Sequence, residues 1–443
     1  MFYFRSIVRP QCARAGGTNN RLLPATGLPG QLTAPLLIML LLVAGHSHAD
    51  LDINESVRLA LLDDPVVAAS QARAQALSDA AVADGQLPDP KLRTGLYNVP
   101  LDNFDLSEDP ATQLRIGVEQ SFPRGDTLHY RQRQSEWLAT SMQAMADVAV
   151  RKTVRDVRKQ FLELYYQVQA EGIITKSRKL FTQLVDITRS QYATGRVSQQ
   201  DVLNASLELS RLDDRSTRIS SDADQQLAAL YKWIGAAAQL PVSDRFPALP
   251  PLPAKDALAA GLPEHPEIRV ETAQLQAKQQ NINIAREQYK PGFSAGIEYR
   301  QRFGDDPAGD RRSNMMAAMV TVELPLFTAN RQDRRLAASV QEASAVELNR
   351  DDRLRELQQM LDSDYANWQR LGERASLYES RLLREAAANA RASLNAYQSG
   401  VTEFTTLMRA RIADLEARLD DLRIRVDRAK AQASLLYLAG ATP

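Results

Sequence analysis

The chain has 443 residues, of which 44% are hydrophobic and only 6% are aromatic. Lys and Arg together number 54, as do Asp and Glu, so the formal net charge is zero. This balance leaves no basic field to hold a phosphate backbone and argues against nucleic acid as a partner.

The N-terminal segment has the pattern of a secretory signal peptide. An apolar run from Ala34 to Ala44 follows several arginines, and small residues at Ser47 and Ala49 predict cleavage after Ala49, so that residues 1–49 are removed. The alternative is a retained membrane anchor, for which the run is short. The only cysteine, Cys12, lies in this segment, so the mature chain has no thiol or disulfide.

The mature chain repeats one plan after about 200 residues. Asp64-Pro65 begins a helical run in the first copy, and His265-Pro266 begins one in the second. We therefore divide the chain into a first repeat at 50–240, a proline-rich linker at 241–255 and a second repeat at 256–443.

Each repeat continues with a predicted β-hairpin. Apolar and polar residues alternate from Leu92 to Asn98 and from Phe293 to Arg300, and alternate again on strands that begin near Leu114 and Ala318. Loops rich in Asp and Pro, at 99–111 and 304–313, join the strands. No apolar stretch after Ala49 approaches the ~20 residues of a membrane-spanning helix, so a membrane-crossing mature chain requires a β-barrel. Four strands cannot close such a barrel, and several copies must pool their strands.

Long helices follow each hairpin. The run from Asp126 to Tyr192, if continuous, is about 100 Å long at ~1.5 Å per residue and needs lateral partners. Glycines at Gly195 and Gly400 interrupt the helical pattern. Beyond the second glycine, apolar residues recur in a heptad seam from Met408 to Leu436.

Other candidate sites have ordinary structural interpretations. His129 and His265 are far apart in sequence, without the spacing of a metal site, and are interpreted as solvated or locally hydrogen-bonded. Met315, Met316 and Met319 suit either a soft-metal site or lipid-facing and packed side chains, of which the second is favoured. No nucleophile and base accompany the acidic residues of the long helices, and neither a metal nor a catalytic site is predicted. A chain of this kind is not expected to be an enzyme or to need a cofactor.

The duplicated plan resembles the TolC family of outer-membrane efflux proteins from Leu51 to Gly440. The most specific motif is Tyr192-x-x-Gly195-x-x-Ser198-x-x-Asp201-Val202-Leu203-x-Ala205, which is similar to the turn that the family places at its periplasmic end. The second copy keeps Tyr397 and Gly400. The resemblance implies a mainly α fold with a small β part. Long coiled-coil helices form an α-barrel, and four β-strands per protomer contribute to a trimeric transmembrane β-barrel.

The resemblance also implies a function and partners. It implies a homotrimer in the bacterial outer membrane, in contact with outer-membrane lipid, with its helices in the periplasm. A periplasmic adaptor (membrane fusion protein) and an inner-membrane RND-type pump would complete the efflux system. The stretch from Leu87 to Thr127 is most similar to members that accompany heavy-metal efflux pumps, so heavy-metal cations are the expected cargo. Multidrug or organic-solute efflux and type I secretion are alternatives, and a secreted helical interaction protein without a pore is a distant one.

By this resemblance, both glycine turns are expected to dock the adaptor. The residues concerned are Gly195, Val197, Ser198, Asp201 and Val202 in the first copy, and Gly400, Val401, Thr402, Phe404 and Leu407 in the second. Family members often place aspartates at the pore mouth just after the second glycine. Here those positions are Thr406 and Arg409, with Glu403 as the substitute carboxylate.

Overall fold

The computed structural model describes residues 50–440. The predicted signal peptide at 1–49 lies outside these residues. Nine α-helices and four β-strands make up the described part, and short 3-10 or π segments join some of them. The helices are α1 Ile53–Leu62, α2 Pro65–Asp84, α3 Thr127–Ala193, α4 Gln199–Ile234, α5 Lys255–Gly261, α6 Pro266–Glu287, α7 Gln332–Leu377, α8 Leu383–Gln398 and α9 Phe404–Leu438. The strands are β1 Lys91–Tyr97, β2 Gln113–Phe122, β3 Gly292–Arg302 and β4 Met315–Glu323.

The predicted hairpins are confirmed, and they join into one sheet. β1 pairs with β2 and β3 with β4, all antiparallel, and β2 also pairs with β3 so that the sheet order is β1-β2-β3-β4. The pairing of β2 with β3 links the two repeats. It leaves β1 and β4 as edge strands, whose outer N–H and C=O groups have no partner strand among the described residues.

The predicted long helix is confirmed as one uninterrupted element, α3, with 67 residues. It packs against α2 and α6 near the sheet and against α4 and α9 farther away, so a single helix runs through both helical layers. In the second repeat, α7 and α8 are separated by a π-helical turn at Tyr378–Leu382. Within residues 50–440, none of the helices combines the length and apolar character that membrane crossing requires.

The main core lies between α3, α4 and α9, as the heptad pattern predicts. Phe161 of α3 and Leu230 of α4 are fully buried there, together with Val426 of α9. Along α9 the seam residues from Met408 to Leu436 are buried, with Ile412 half-buried. Removing a buried leucine from such a seam costs about 2–5 kcal/mol, so this packing fixes the two turn regions relative to α3.

A second, smaller core lies where α5 and α6, which follow the linker, pack against α7 and the end of α9. Leu258, Leu262 and Ile268 pack there with Leu357 and Leu435. The proline-rich linker itself is extended, and Leu51 forms a parallel bridge with Val242. The chain from residue 240 to 254 therefore runs along the outside of the helices.

Candidate functional site

One face of the sheet is apolar and without charge. Side chains alternate between the two faces of a strand, and residues that pair directly across strands share a face. Most of the apolar side chains on this face are exposed in the single chain. Its residues are Leu92, Thr94, Leu96, Leu114, Ile116, Val118, Gln120, Phe122, Phe293, Ala295, Ile297, Tyr299, Gln301, Met316, Ala318, Val320 and Val322. A band this large and uncharged is what a lipid-facing or protein-covered surface requires.

The opposite face carries all the charges of the strands. Five are basic, three are acidic, and several form ion pairs: Arg93 with Glu119 at 2.6 Å and Arg300 with Glu298 at 2.6 Å. The charged residues are Lys91, Arg93, Arg115, Arg300, Arg302, Glu119, Glu298 and Glu323. At the base of the sheet this face continues into an open cavity of about 500 Å³. The cavity is also lined by Arg124, which lies 3.2 Å from Glu323.

The structure divides the three methionines of β4 between the two faces. Met316 is opposite Tyr299 on the apolar face, whereas Met315 is opposite Arg300 and Met319 is opposite Gly296 on the polar face. Only Met316 thus shares the apolar face, because strict alternation along β4 turns Met315 and Met319 to the polar face, where both are exposed in the single chain. No group of three or more His, Cys, Asp or Glu residues within 50–440 is arranged to hold a metal ion.

The first turn region lies between α3 and α4 and is closed by a capping box. Gly195 has a φ of 69°, and a side chain added there meets nothing within 4 Å. The Ser198 hydroxyl accepts from the Asp201 backbone N–H at 3.2 Å, while the Asp201 carboxylate accepts from the Ser198 N–H at 3.1 Å. Val197 and Val202 are half-buried beside this cap. Ser198 and Asp201 thus have a structural role in ending the turn.

The second turn region, between α8 and α9, has the same glycine geometry but no side-chain cap. Gly400 has a φ of 70°, and Glu403 occupies the N-cap position of α9 without a side-chain hydrogen bond to its backbone. Val401 is 80% exposed and Thr402 is half-buried. Glu403, Thr406 and Arg409 are exposed in the single chain, and their place at a pore mouth stays a prediction.

Two residues expected at the docking surface are buried instead. Phe404 is 2% exposed and its ring packs edge-on against Tyr397 at 5.6 Å, while Leu407 is completely buried. The Tyr397 hydroxyl donates to Gln191 Oε1 at 2.6 Å, which connects the two turn regions. Phe404 and Leu407 lie in the first turn of α9, just before its seam, and join the main core, so this chain itself covers their side chains.

A buried charge cluster where α6 begins was not anticipated from the sequence. The Glu267 carboxylate is 6% exposed and accepts from the Tyr437 hydroxyl at 2.6 Å, and Lys152 Nζ lies 3.1 Å away. The guanidinium of Arg353 pairs with the other carboxylate oxygen. Burial raises the pKa of Glu267, but the Tyr437 hydrogen bond and the two cations outweigh it and lower the pKa below its ordinary value.

His265 completes this cluster as a helix cap. Its Nδ1 accepts from the Glu267 backbone N–H at 3.3 Å, and its Nε2 lies 3.2 Å from the Tyr437 carbonyl oxygen, to which a neutral ring donates. This confirms the local hydrogen bonding expected of His265, and burial lowers its pKa. Asp64 caps α2 in the equivalent place of the first repeat. The sequence signal for both caps was the pair of matching dipeptides, Asp64-Pro65 and His265-Pro266, at the starts of the two helices.

Comparison with known proteins agrees with the resemblance drawn from the sequence. Residues 259–441 match the family described as "Outer membrane efflux protein". Among curated protein sequences, none matches the chain. The fold is that of solved outer-membrane channels, and the predicted fold class is confirmed.

Three of the similar structures show how far this likeness extends. CusC is 16% identical, with a TM-score of 0.76 over 89% of this chain and 93% of its own. The outer membrane protein VceC of Vibrio cholerae is 17% identical, with a TM-score of 0.73 over 88% and 96%. The MtrE outer membrane channel of Neisseria gonorrhoeae is 15% identical, with a TM-score of 0.74 over 88% of each chain. At these identities the likeness concerns the fold.

Proposed function

We propose that the chain is one protomer of a trimeric outer-membrane efflux duct, a passive conduit rather than an enzyme. The observation that carries this proposal is the two-faced sheet, whose uncharged face is exposed while its other face holds every charge of the strands. A wall between lipid and water needs this division, because a charge on the lipid side costs about 2–4 kcal/mol at mid-membrane.

The free edges of the sheet support assembly. Within residues 50–440, the outer edges of β1 and β4 have no partner strand, and unpaired backbone groups cost several kcal/mol apiece in lipid. In the sheet order, β4 of one copy runs antiparallel to β1 of the next when copies are placed side by side around an axis. Three copies then give twelve strands in a closed ring with no free edge, and the number three comes from the family resemblance.

The helices extend the same ring away from the membrane. Near the sheet, α2, α3, α6 and α7 pack side by side in this order; farther away α4, α3, α9 and α8 form a second layer. With 67 residues, α3 spans about 100 Å at ~1.5 Å per residue. We place this helical part in the periplasm, with the two turn regions at its far end.

The turn regions are proposed to dock the periplasmic adaptor, which joins the duct to an inner-membrane RND-type pump. The exposed candidates are Val401 and Gly400 in the second turn and Gly195 and Ser198 in the first, with half-buried Val197 beside them. Exposed apolar side chains at a turn, such as that of Val401, are available for a partner to cover. The energy for export would then be supplied by the pump.

Two cargo classes are proposed. Heavy-metal cations are favoured by the resemblance of residues 87–127 to members that accompany metal pumps. Organic solutes, including anionic ones, are the second candidate and are favoured by the excess of basic residues on the polar face of the sheet. In either case the duct admits what the pump delivers.

Gene deletion in the host, with complementation, tests the function and the cargo together. The deleted strain is grown on a panel of metal salts and organic drugs, and resistance is restored with the wild-type gene. Loss of resistance to metals alone supports the first cargo class, and loss of resistance to organic compounds supports the second. Unchanged growth throughout, or release of the protein from outer membranes by high-salt and carbonate washes, would contradict the duct and favour a secreted interaction protein.

A further inference from the structure

The basic residues of the polar face are concentrated toward the loop end of the sheet. The pairing register places Arg115 directly opposite Arg300, and Gln113 opposite Arg302, with Met315 on the other side of Arg300. No acidic side chain of the four strands lies in these two cross-strand rows. The three residues Arg115, Arg300 and Arg302 are named here the arginine belt.

The belt opposes like charges in a way that sheets ordinarily avoid. Directly opposite residues have Cβ atoms about 4.5–5.5 Å apart, and like charges there are destabilising. Glu298, one row closer to the helices, is the only strand carboxylate in contact: it lies 2.6 Å from Arg300 and 3.9 Å from Arg115. One carboxylate therefore serves two guanidinium groups, and the belt keeps a surplus of positive charge.

The remaining contacts of the belt do not neutralise it. The Arg115 guanidinium lies 4.1 Å from the ring centre of Tyr97, and its buried Nε has no hydrogen-bond partner. Arg302 donates to the Pro110 carbonyl oxygen at 2.9 and 3.2 Å. These contacts hold the guanidinium groups in place with neutral partners.

The loops beyond the sheet are acidic, and several of their carboxylates accept hydrogen bonds from backbone N–H groups of the same loop. Asp105 accepts from the Ser107 N–H at 2.8 Å, and Asp109 accepts from the Ala111 N–H at 2.7 Å. Asp306 accepts from two backbone N–H groups in the second loop. Such bonds close the turns without removing the negative charge of the loops, so the positive zone is confined to the level of the belt.

We propose that the arginine belt forms an electropositive ring within the outer part of the duct and, at that level, favours anionic solutes, such as carboxylates, sulfonates and phosphates, over cations. The inference rests on the proposed function, because the polar face lines a lumen only in the assembled duct. Over the whole polar face, five basic and three acidic residues leave an excess of two positive charges per chain. Rings of like charge are a known basis of pore selectivity.

The local electrostatic potential can be measured from the rates at which an anionic and a cationic thiol reagent modify a cysteine beside the belt. Cys12→Ser removes the chain's one cysteine, and Met315→Cys then places a thiol opposite Arg300. The purified trimer in detergent, at ~0.01 M salt, is treated with sulfonatoethyl methanethiosulfonate, an anion, or with its trimethylammonioethyl analogue, a cation. Each rate is divided by the rate for a small free thiol, which removes the intrinsic difference between the reagents.

We expect the anionic reagent to be favoured at least about threefold, and the ratio to fall about threefold in Arg300→Gln, as one charge at ~10 Å implies at this salt. Arg302→Gln is a second variant. Arg302 donates to a neutral carbonyl oxygen, so its removal does not leave a carboxylate unpaired. Arg73→Gln, at an exposed position of α2, is the matched control and should leave the ratio unchanged. In 1 M salt, where the Debye length is about 3 Å, the preference should collapse.

An anion-to-cation rate ratio at or below one that neither belt variant changes would overturn the proposal. So would a Met315→Cys thiol that reacts with neither reagent in the native trimer but reacts after denaturation. The proposed function fails differently. If deletion leaves resistance unchanged while the thiol ratio behaves as expected, the electropositive face stands and the efflux role does not.

Discussion

Glu267→Gln tests whether the buried charge cluster holds the second repeat in place. The substitution keeps the size of the side chain but removes the negative charge that faces Lys152 and Arg353. It also weakens the hydrogen bond that the carboxylate accepts from the Tyr437 hydroxyl. Glu267 lies in α6 and contacts residues of α3, α7 and α9, so the substitution weakens contacts among four helices.

The size of the effect follows from how buried each partner is. Breaking a fully buried ion pair costs about 3–5 kcal/mol. Here the side chains of Lys152 and Arg353 are 46% and 34% exposed, so solvent screens part of the interaction. We therefore expect a loss of about 2 kcal/mol per protomer. With an unfolding entropy of about 2.1 cal/mol/K per residue over ~390 residues, this lowers the melting midpoint by about 2–3 °C.

The assay is the apparent melting midpoint of the detergent-solubilised trimer at one protein concentration and one scan rate, because assembly and irreversibility shift this value. Glu271→Gln, one turn later on α6, is the matched control. Burial raises the pKa of Glu271, so removing its charge should not destabilise the protein. Equal midpoints for Glu267→Gln and the wild type, or an equal fall in Glu271→Gln, would refute the assigned role of the cluster.

The same cluster predicts how stability depends on pH. The folded pKa of His265 is below its ordinary value, so its contribution is present above ~6.5 and is lost as the pH falls through the folded pKa. The folded pKa of Glu267 is also lowered, so its contribution is lost as the pH falls from ~4.5 through the lower folded value. Glu267→Gln should flatten the lower limb, and it should also lower the pKa of His265 further, because the Glu267 charge opposes the effect of burial there. An unchanged lower limb in this variant would contradict the assignment.

Three further predictions concern the assembled duct. In mild detergent, light scattering should give the mass of a trimer, and a well-folded monomer would contradict the pooled sheet. On intact cells, an impermeant maleimide should label Asp105→Cys and leave Ser198→Cys unlabelled, since the first is on a loop beyond the strands and the second is at the far turn. The reverse labelling pattern would contradict this topology. Gly195→Trp or Gly400→Trp should preserve the trimer but abolish export. The control is Gly235→Trp, which is strained by a similar positive φ but lies away from the turns. Normal resistance with tryptophan at both turn glycines would reject docking there.

Much of the fold followed from periodicity alone. Alternation along residues such as Phe293, Ile297 and Tyr299 predicted the strands, and the heptad spacing beyond Gly400 predicted the buried face of α9. These signals are local, because each depends only on which residues recur along one element. The pairing of β2 with β3 is not local and came only from the structure.

The candidate sites were harder to predict, because a residue type does not reveal its burial. Phe404 stands beside exposed Val401 in the sequence, yet the first turn of α9 directs its ring into the core. Glu267 resembles the many solvated acids of these helices, and only the meeting of α3, α6, α7 and α9 shows that it is enclosed. Likewise, Met315 and Arg300 are 15 positions apart in sequence and are brought together by register.

The π-helical turn at Tyr378–Leu382 bears on how the two halves of the chain have diverged. Thr127 and Gln332 begin the long helical runs of the two halves, and Gly195 and Gly400 follow their ends at the same separation in sequence. A π turn takes up one residue more than an α turn, which rotates the side chains beyond it by about 100°. Positions at the same distance from the start of the two helical runs therefore meet different neighbours beyond this turn. A residue moved from one half to the matching place in the other would enter different surroundings, so the two turn regions are not interchangeable.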